Sequence, residues 1–409
     1  MRGISSGITL VTVALLFIEI VAFWGLFQLM DRKDRKWKMS FLYWTTGLVC
    51  LALFLYAFVD PGKIRHTVNY GFYYFVIFCL MLNFFPKALL SFFVLLSLPV
   101  RLLRNKRDSL TVILSGIILS TGVFISILSG FIAGRKLIRL EEVKLVVPSL
   151  PETLNGIKIV HISDFHLAGF SNTRFMERLA ERVNRQKPDL ILFTGDMVNN
   201  FHQEIRGFES VLGRMEAHSG KLAVLGNHDY GDYSEWDSPA DKASNLQAVK
   251  AGIQKCGFRL LLNESQKISF RDTSFYVVGV ENWGHPPFPQ YARLDSALAH
   301  VSDHSFRILL SHDPAHWEDQ VLRQRDIPLT LSGHSHGGQF GIKIAGLEFS
   351  PIWLISRRWG GLYEENGQYL YVNRGAGCVG FPARLDMSPE ITVITLLSKE
   401  NHPVTADQN

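Results

Sequence analysis

Five short motifs in this 409-residue chain set metal-binding side chains beside small residues. They are Ser163-Asp164-Phe165-His166, Gly195-Asp196, Gly226-Asn227-His228-Asp229, Ser311-His312-Asp313 and Gly333-His334-Ser335-His336-Gly337-Gly338. Taken singly, each admits a plain reading: an Asp-x-His is common, and a Gly-Asp is usually a turn. As a set they say more, because each follows directly on a short apolar run that reads as a strand. Ligands in open α/β sheets collect beyond the carboxyl ends of strands, so five such loops would bring imidazole, carboxylate and amide oxygen into one crevice. That donor mixture suits Mn, Fe or Zn better than Ca or Mg. Two divalent ions about 3.5–4 Å apart can clamp the attacking and leaving oxygens of a phosphoryl group, provided one carboxylate bridges them. The glycines fit as well, since backbone turning sharply into a metal centre tolerates little bulk. The chemistry expected is metal-assisted hydrolysis of a phosphoester.

The elements that must hold these loops are legible as alternating short strands and helices. Strands are expected at 157–161, 190–194, 222–225, 275–280, 306–311, 329–332, 369–373 and 390–397. A helix is expected at 173–186, capped by Asn172 or Ser171 and stopped before Pro188. Strands alternating with helices indicate an α/β fold, and the strand count, with little helix in the second half, suggests two packed sheets. Residues 148–400 are assigned to this domain, 135–147 to a charged linker and 401–409 to a tail.

Of the whole chain, 47% is hydrophobic, and most of that content lies before about residue 133. Four apolar runs, at about 7–30, 41–59, 72–98 and 110–133, are each long enough for a membrane helix, which needs about 20 residues. A cleaved signal peptide would have a core of about 7–15 residues, so the first run reads as a retained anchor. Residues 1–134 therefore read as a four-helix transmembrane region in a plasma or inner membrane. Arg32, Lys33, Arg35, Lys36 and Lys38 fill the first loop and Arg101, Arg104, Lys106 and Arg107 the third, against Lys63 and Arg65 in the second. Cationic loops stay cytoplasmic, which puts both termini and the α/β domain on the extracytoplasmic side. Asn83, Pro86 and Lys87 interrupt the third run; were it re-entrant, the orientation would invert, and Arg135, Lys136 and Arg139 favour that inversion. Glu19 and Lys87 are expected to face other helices rather than line a pathway.

The net charge of +5 gathers beside the apolar runs, with no basic stripe interleaved with aromatics, so no nucleic-acid partner is expected. Of four cysteines, Cys50 and Cys79 lie in apolar runs; Cys256 and Cys378 form no CxxC, and their pairing is left open.

In this order the motifs resemble those of the calcineurin-like metallophosphoesterases, and look nearest a membrane-anchored bacterial phosphodiesterase subgroup. The resemblance covers about 145–397. It rests on Leu154-Asn-Gly-Ile-Lys-Ile-Val-His-Ile-Ser-Asp-Phe-His166, Pro188-Asp-Leu-Ile-Leu-Phe-Thr-Gly-Asp196, Gly333-His-Ser-His-Gly-Gly-Gln339, Asn373-Arg-Gly375 and Pro389-Glu390. It implies two packed β-sheets flanked by helices. It also implies that Asp164, His166 and His336 hold one metal, that Asn227, His312 and His334 hold a second, and that Asp196 bridges them. A hydroxide between the metals would attack phosphorus in line. His228 would protonate the leaving oxygen or stabilise the transition state, with Asp229 orienting its ring. No motif position is missing. The four-span front is not required by the family.

Other residues carry less. His316 follows His312 at the spacing of a helical metal pair, but Pro314 intervenes and the metal sphere is already full, so it reads as structural, as does His161 within the first strand. His285, in Trp283-Gly-His-Pro-Pro-Phe, and Arg374, beside Gly375, are candidate substrate contacts. Residues 340–359 combine Phe349, Ile352, Trp353, Leu354, Ile355 and Trp359 with Arg357 and Arg358. They form either a cap packed on the domain's own core or a surface that leans on the bilayer. The expected substrate is a phosphodiester or pyrophosphate in a membrane lipid or lipid precursor. The alternatives are a soluble nucleotide or nucleotide-sugar phosphodiester, or a membrane sensor that uses the domain to bind ligand.

Overall fold

The computed structural model describes residues 2–30, 33–60, 66–286, 288–344 and 347–399. The chain divides into two compact units, one of residues 1–133 with 380–383, the other of 134–379 with 384–409.

The first unit carries four apolar helices: α1 (Arg2–Gln28), α2 (Lys33–Phe58), α3 (Gly71–Leu103) and α4 (Lys106–Ile132). All four are long and apolar enough to cross a membrane. Their large side chains point outward along much of their length, Phe17, Leu42, Phe92 and Ile118 among them. Such exposure suits a bilayer, where lipid tails solvate apolar side chains. The third run is one continuous helix of 33 residues that passes through both Pro86 and Pro99. At 1.5 Å per residue it is about 50 Å long, more than the roughly 30 Å of hydrocarbon it has to cross. Arg32, Lys63 and Arg65, used above to orient the loops, lie outside the described residues.

Glu19 and Lys87 meet inside this unit. Lys87 Nζ donates to Glu19 Oε1 and Oε2 at 2.8 and 2.9 Å, and Asn83 Nδ2 donates to Oε1 at 2.8 Å. Tyr43 OH donates to the Glu19 backbone carbonyl at 2.8 Å, and Lys87 lies 4.0 Å over the Tyr43 ring. Gly47 makes room for the carboxylate, since a Cβ there would sit 2.8 Å from Glu19. Helices α1, α2 and α3 thus close around one compensated charge pair.

The second unit is built from two six-stranded sheets. The first runs β1 (Arg139–Val146), β14 (Glu390–Leu397), β2 (Lys158–Ile162), β3 (Leu190–Phe193), β4 (Lys221–Ala223), β5 (Arg259–Leu260). The second runs β12 (Gly361–Glu365), β13 (Gln368–Val372), β9 (Leu329–Ser332), β8 (Arg307–Leu310), β7 (Thr273–Gly279), β6 (Glu264–Phe270). A small hairpin, β10 (Ile342–Ile344) with β11 (Leu347–Phe349), stands apart. Strands β2 to β5 are mutually parallel, as are β7, β8, β9 and β13, so the carboxyl ends of each core point one way.

Strand periodicity sorts the apolar residues between two layers. Ile159, Leu190, Leu192 and Leu222 face Val277, Ile308, Leu310 and Leu331 of the other sheet and form the central core. Val160, Ile162, Ile191 and Phe193 face outward and meet Met176, Leu179, Ala180 and Val183 of α5 (Arg174–Arg185). Their spacing along α5 is that of one helical face.

Residues 139–146 were expected to be linker. They form an edge strand instead, paired in parallel with β14 from Arg139↔Glu390 to Val146↔Leu397. Arg139, Glu141, Glu142 and Lys144 disguised it: on an edge strand the charged side chains remain partly solvated, while Leu145 turns into the core. Cys256 and Cys378 are both buried, and no disulfide joins them.

Candidate metal centre

Each motif loop leaves the carboxyl end of a core strand: Asp164 after β2, Asp196 after β3, Asn227 after β4, His312 after β8, His334 and His336 after β9. The backbone is strained where it delivers these groups. Asp164, His166, Asp196, His334 and His336 all have left-handed φ, between 46° and 70°. Non-glycine residues hold this conformation only where the surroundings over-determine it, and such strain clusters at functional sites. Glycine permits the close approach of the loops. A Cβ at Gly333 would lie 2.0 Å from Ser163 Oγ and 2.3 Å from Asp164 Oδ2, and one at Gly226 would lie 2.2 Å from Asp196 Oδ1.

The ligand atoms converge in two groups that share one oxygen. In the first, His166 Nε2 is 3.0 Å from His336 Nε2, His336 Nε2 is 3.3 Å from Asp164 Oδ1, and His166 Nε2 is 3.5 Å from Asp196 Oδ2. In the second, His312 Nε2 is 3.2 Å from the same Asp196 Oδ2 and 2.9 Å from Asn227 Oδ1, which is 2.9 Å from His334 Nδ1. Imidazole nitrogens, carboxylate oxygens and an amide oxygen gathered this closely form a donor set suited to cations. Asp164–His166–His336 and Asp196–His312–His334 are each able to hold a metal ion, as is His166–Asp196–His228.

The surroundings prepare the donors. His312 Nδ1 donates to the Thr194 carbonyl at 2.7 Å, which fixes that proton and turns Nε2 to the centre. Burial works to lower the ring, but Asp196 and Asp164 push it up to about 10, so Nε2 gives up a proton when it binds a metal. Burial pushes His166 down to about 3 and holds His336 well below its usual value, so both imidazoles are neutral, the form that binds metal. Burial works to raise the Asp196 carboxyl, but His312, His228 and His166 around it hold it well below its usual range. Asp164, with fewer such neighbours, is raised by its burial.

His228 lies at the rim. Its Nδ1 donates to the Asn199 carbonyl at 2.9 Å and its backbone N–H to Asp196 Oδ1 at 2.9 Å. Asp229 does not orient this ring, contrary to expectation. Its carboxylate accepts from the backbone N–H groups of Asp196, Met197, Val198 and Gly226, at 2.9, 2.9, 3.2 and 2.9 Å. Four convergent N–H donors, three from the loop after β3 and one from Gly226, occupy the carboxylate, so Asp229 shapes the Asp196 loop instead.

Two residues with no signal in the motifs join the site. The buried Glu204 carboxylate accepts from the N–H groups of Asn199, Asn200, Phe201 and Ala168, tying the loop after Asp196 to the turn after His166. Tyr233 stacks on His228 with centroids 4.4 Å apart, and its hydroxyl accepts from Asn227 Nδ2 at 2.8 Å. Both act across loops, through contacts that local pattern does not carry.

The remaining expectations divide. His161 Nε2 meets Thr194 Oγ1 at 2.9 Å, and His316 Nδ1 meets Ser311 Oγ at 2.9 Å while its ring stacks on Trp283. Among the described residues, neither joins a metal-ligand group. His285 sits half-exposed, its Nε2 3.6 Å from Asp319 Oδ2. Arg374 is buried and already engaged: Nη1 donates to Glu390 at 2.6 Å, and Nη2 pairs with Glu348.

Imidazoles, carboxylates and an amide delivered by strained loops from two parallel-cored sheets are the equipment of a metal-dependent phosphoester hydrolase. Sequence comparison identifies which kind: the chain belongs to the calcineurin-like phosphoesterases. The model of that family, described as calcineurin-like phosphoesterase, matches residues 157–338. A second, described as probable calcineurin-like phosphoesterase, transmembrane domain, matches residues 1–135. The chain is 34% identical over 258 residues to the uncharacterized metallophosphoesterase YkuE of Bacillus subtilis (strain 168), covering 61% of this chain and 82% of that one. It is 28% identical to phosphodiesterase YaeI of Escherichia coli (strain K12), over 59% of this chain and 82% of the relative. It is also 29% identical to the transmembrane protein with metallophosphoesterase domain of Danio rerio, over 62% of this chain and 56% of that longer one. The protein is therefore a membrane-associated, metal-dependent phosphoester hydrolase.

Proposed function

We propose that the protein hydrolyses a phosphodiester or pyrophosphate bond in the headgroup of a membrane lipid or lipid precursor, using two divalent ions, Mn, Fe or Zn. The observation that carries the dinuclear reading is the single oxygen, Asp196 Oδ2, that lies 3.5 Å from His166 Nε2 and 3.2 Å from His312 Nε2. Asp164, His166 and His336 would hold one ion, Asn227, His312 and His334 the other, with Asp196 between them. When bound, such ions supply Lewis acidity and a nucleophilic water at neutral pH. With Nδ1 tied to the Asn199 carbonyl, His228 would keep Nε2 for the proton that the leaving oxygen takes up. Tyr233 supports the His228 ring, and Asp229 and Glu204 hold the loops. His285 is a candidate contact for the leaving group. Arg374 would act by pinning Glu390 and Glu348, its charge being already matched.

Membrane attachment by four helices supports a lipid substrate, and a phosphodiesterase among the relatives supports the diester. We assign residues through about 134 to the membrane region and the rest, through about 400, to the catalytic unit, which includes β1. The cationic third loop, Arg101 to Arg107, supports an extracytoplasmic catalytic unit.

The test uses the full chain in nanodiscs, stripped of metal and reloaded with Mn, Fe or Zn. A chromogenic phosphodiester, a phosphomonoester and extracted membrane lipids are then compared as substrates. Metal-dependent diester turnover together with phosphate-containing headgroup release from lipid is expected. No metal-dependent turnover of any of them would defeat the reading.

A further inference from the structure

The hairpin β10–β11 is amphipathic in the wrong sense for a soluble surface. Its register pairs Ile342 with Phe349 and Ile344 with Leu347, while Lys343 pairs with Glu348 between them. Alternation puts the four apolar side chains on one face and the two charged ones on the other. The charged face is the one attached to the protein: Glu348 bonds Lys343 and the buried Arg374. The apolar face is bare, with Ile344 67% and Leu347 80% exposed. The turn Pro351–Leu354 continues it with Trp353, and with Leu354 and Ile355 at 76% and 87% exposure. A strand that buries one face ordinarily turns its apolar side inward. An apolar patch of this extent marks a surface that meets another apolar phase.

We propose that the apolar face of β10–β11 and the Trp353–Ile355 turn insert into the bilayer next to the metal centre. The occupant is lipid because the same chain carries four helices long enough to cross a membrane, the last ending at Ile132, seven residues before β1 begins. Trp353 and the exposed Arg357 add the aromatic and cationic groups that membrane interfaces favour. The segment of 340–359 is thereby divided. Trp359 is buried, and Arg358 pairs with Glu318 and Glu365, so these two pack on the domain. The outward part is rooted in the metal loop. Phe340 follows His336 by four residues, Ser350 Oγ donates to the Phe340 carbonyl at 2.7 Å, and Gly341 N–H donates to the Leu385 carbonyl at 3.0 Å. A prong held this way sets the height of the ligands above the bilayer surface, which selects phosphoryl groups at headgroup depth. The inference deepens the lipid-substrate reading and rests on it for that last step, but its test reads position rather than turnover.

The experiment places a nitroxide at Leu347→Cys, Leu354→Cys or Ile355→Cys in the full-length protein in nanodiscs, with the exposed β6 position Lys267→Cys as the aqueous control. The parent chain supplies the background from its own cysteines. Collision with oxygen should exceed collision with a water-soluble nickel chelate at 347, 354 and 355, and the reverse should hold at 267. Three positions are used so that one poorly folding variant leaves two to decide. Nickel accessibility at the prong equal to that at 267 would overturn the proposal. So would exclusion of both reagents, which would mean that a second copy or another protein covers the face.

Discussion

His228 and Asp229 are neighbours in the chain and have different work. His228 faces the centre with one nitrogen tied to a carbonyl, whereas Asp229 faces away and gathers four backbone N–H groups. The substitutions should separate accordingly. His228→Ala should lower kcat by roughly 10²- to 10⁴-fold, the range for a lost general acid, with little change in Tm. Asp229→Ala should lower Tm, because each buried N–H left without an acceptor costs about 1–3 kcal/mol. Thermal melts and steady-state rates on the two variants decide it; a stable Asp229→Ala protein with only a rate defect would restore the ring-orienting role that the structure argues against.

At the level of the element, the helices of the membrane unit are joined by a charge pair whose members stand 68 residues apart. Charges within a span are costly singly and tolerable when matched. Lys87→Met alone should therefore destabilise the unit by roughly 3–5 kcal/mol, as expected when one partner of a buried pair is removed. Glu19→Gln with Lys87→Met together should recover much of that loss. Thermal aggregation in detergent is a suitable measure. If the double variant loses the sum of the two single losses, the pair does not act as a unit. The buried central strands, by contrast, were readable one at a time. β9 and β14 fall where their apolar runs placed them, and β2, β3 and β8 within about two residues, since each is a short β-rich run bounded by loop residues. β5, β6, β10, β11 and β12 were missed, as was β1, whose pattern is that of a charged edge and whose partner lies some 250 residues downstream, a pairing that no local signal encodes.

For the molecule as a whole, two units of opposite character share one chain, and the loop charges support the extracytoplasmic orientation proposed for the catalytic unit. With the extracytoplasmic arrangement proposed above, a cysteine at Lys267 on an exposed strand should react with a membrane-impermeant maleimide in intact cells. Labelling only after permeabilisation would reverse the assignment and bring cytoplasmic substrates, nucleotide-linked lipids included, back into consideration. Residue types at strand ends were sufficient to single out the candidate metal donors that the fold gathers, because ligand chemistry admits few side chains and strand ends are locally marked. The four spans were readable for a similar reason, since a bilayer demands length and apolarity that composition alone reveals. Tertiary structure alone decided what depends on distance in space. It brought Asp196 Oδ2 between two histidine groups, turned Asp229 from the His228 ring to the loop, set Tyr233 on that ring and matched Glu19 with Lys87. It also turned Trp359 inward and Trp353 outward within one short segment, a choice set by which neighbours each side chain finds and not by the side chains themselves.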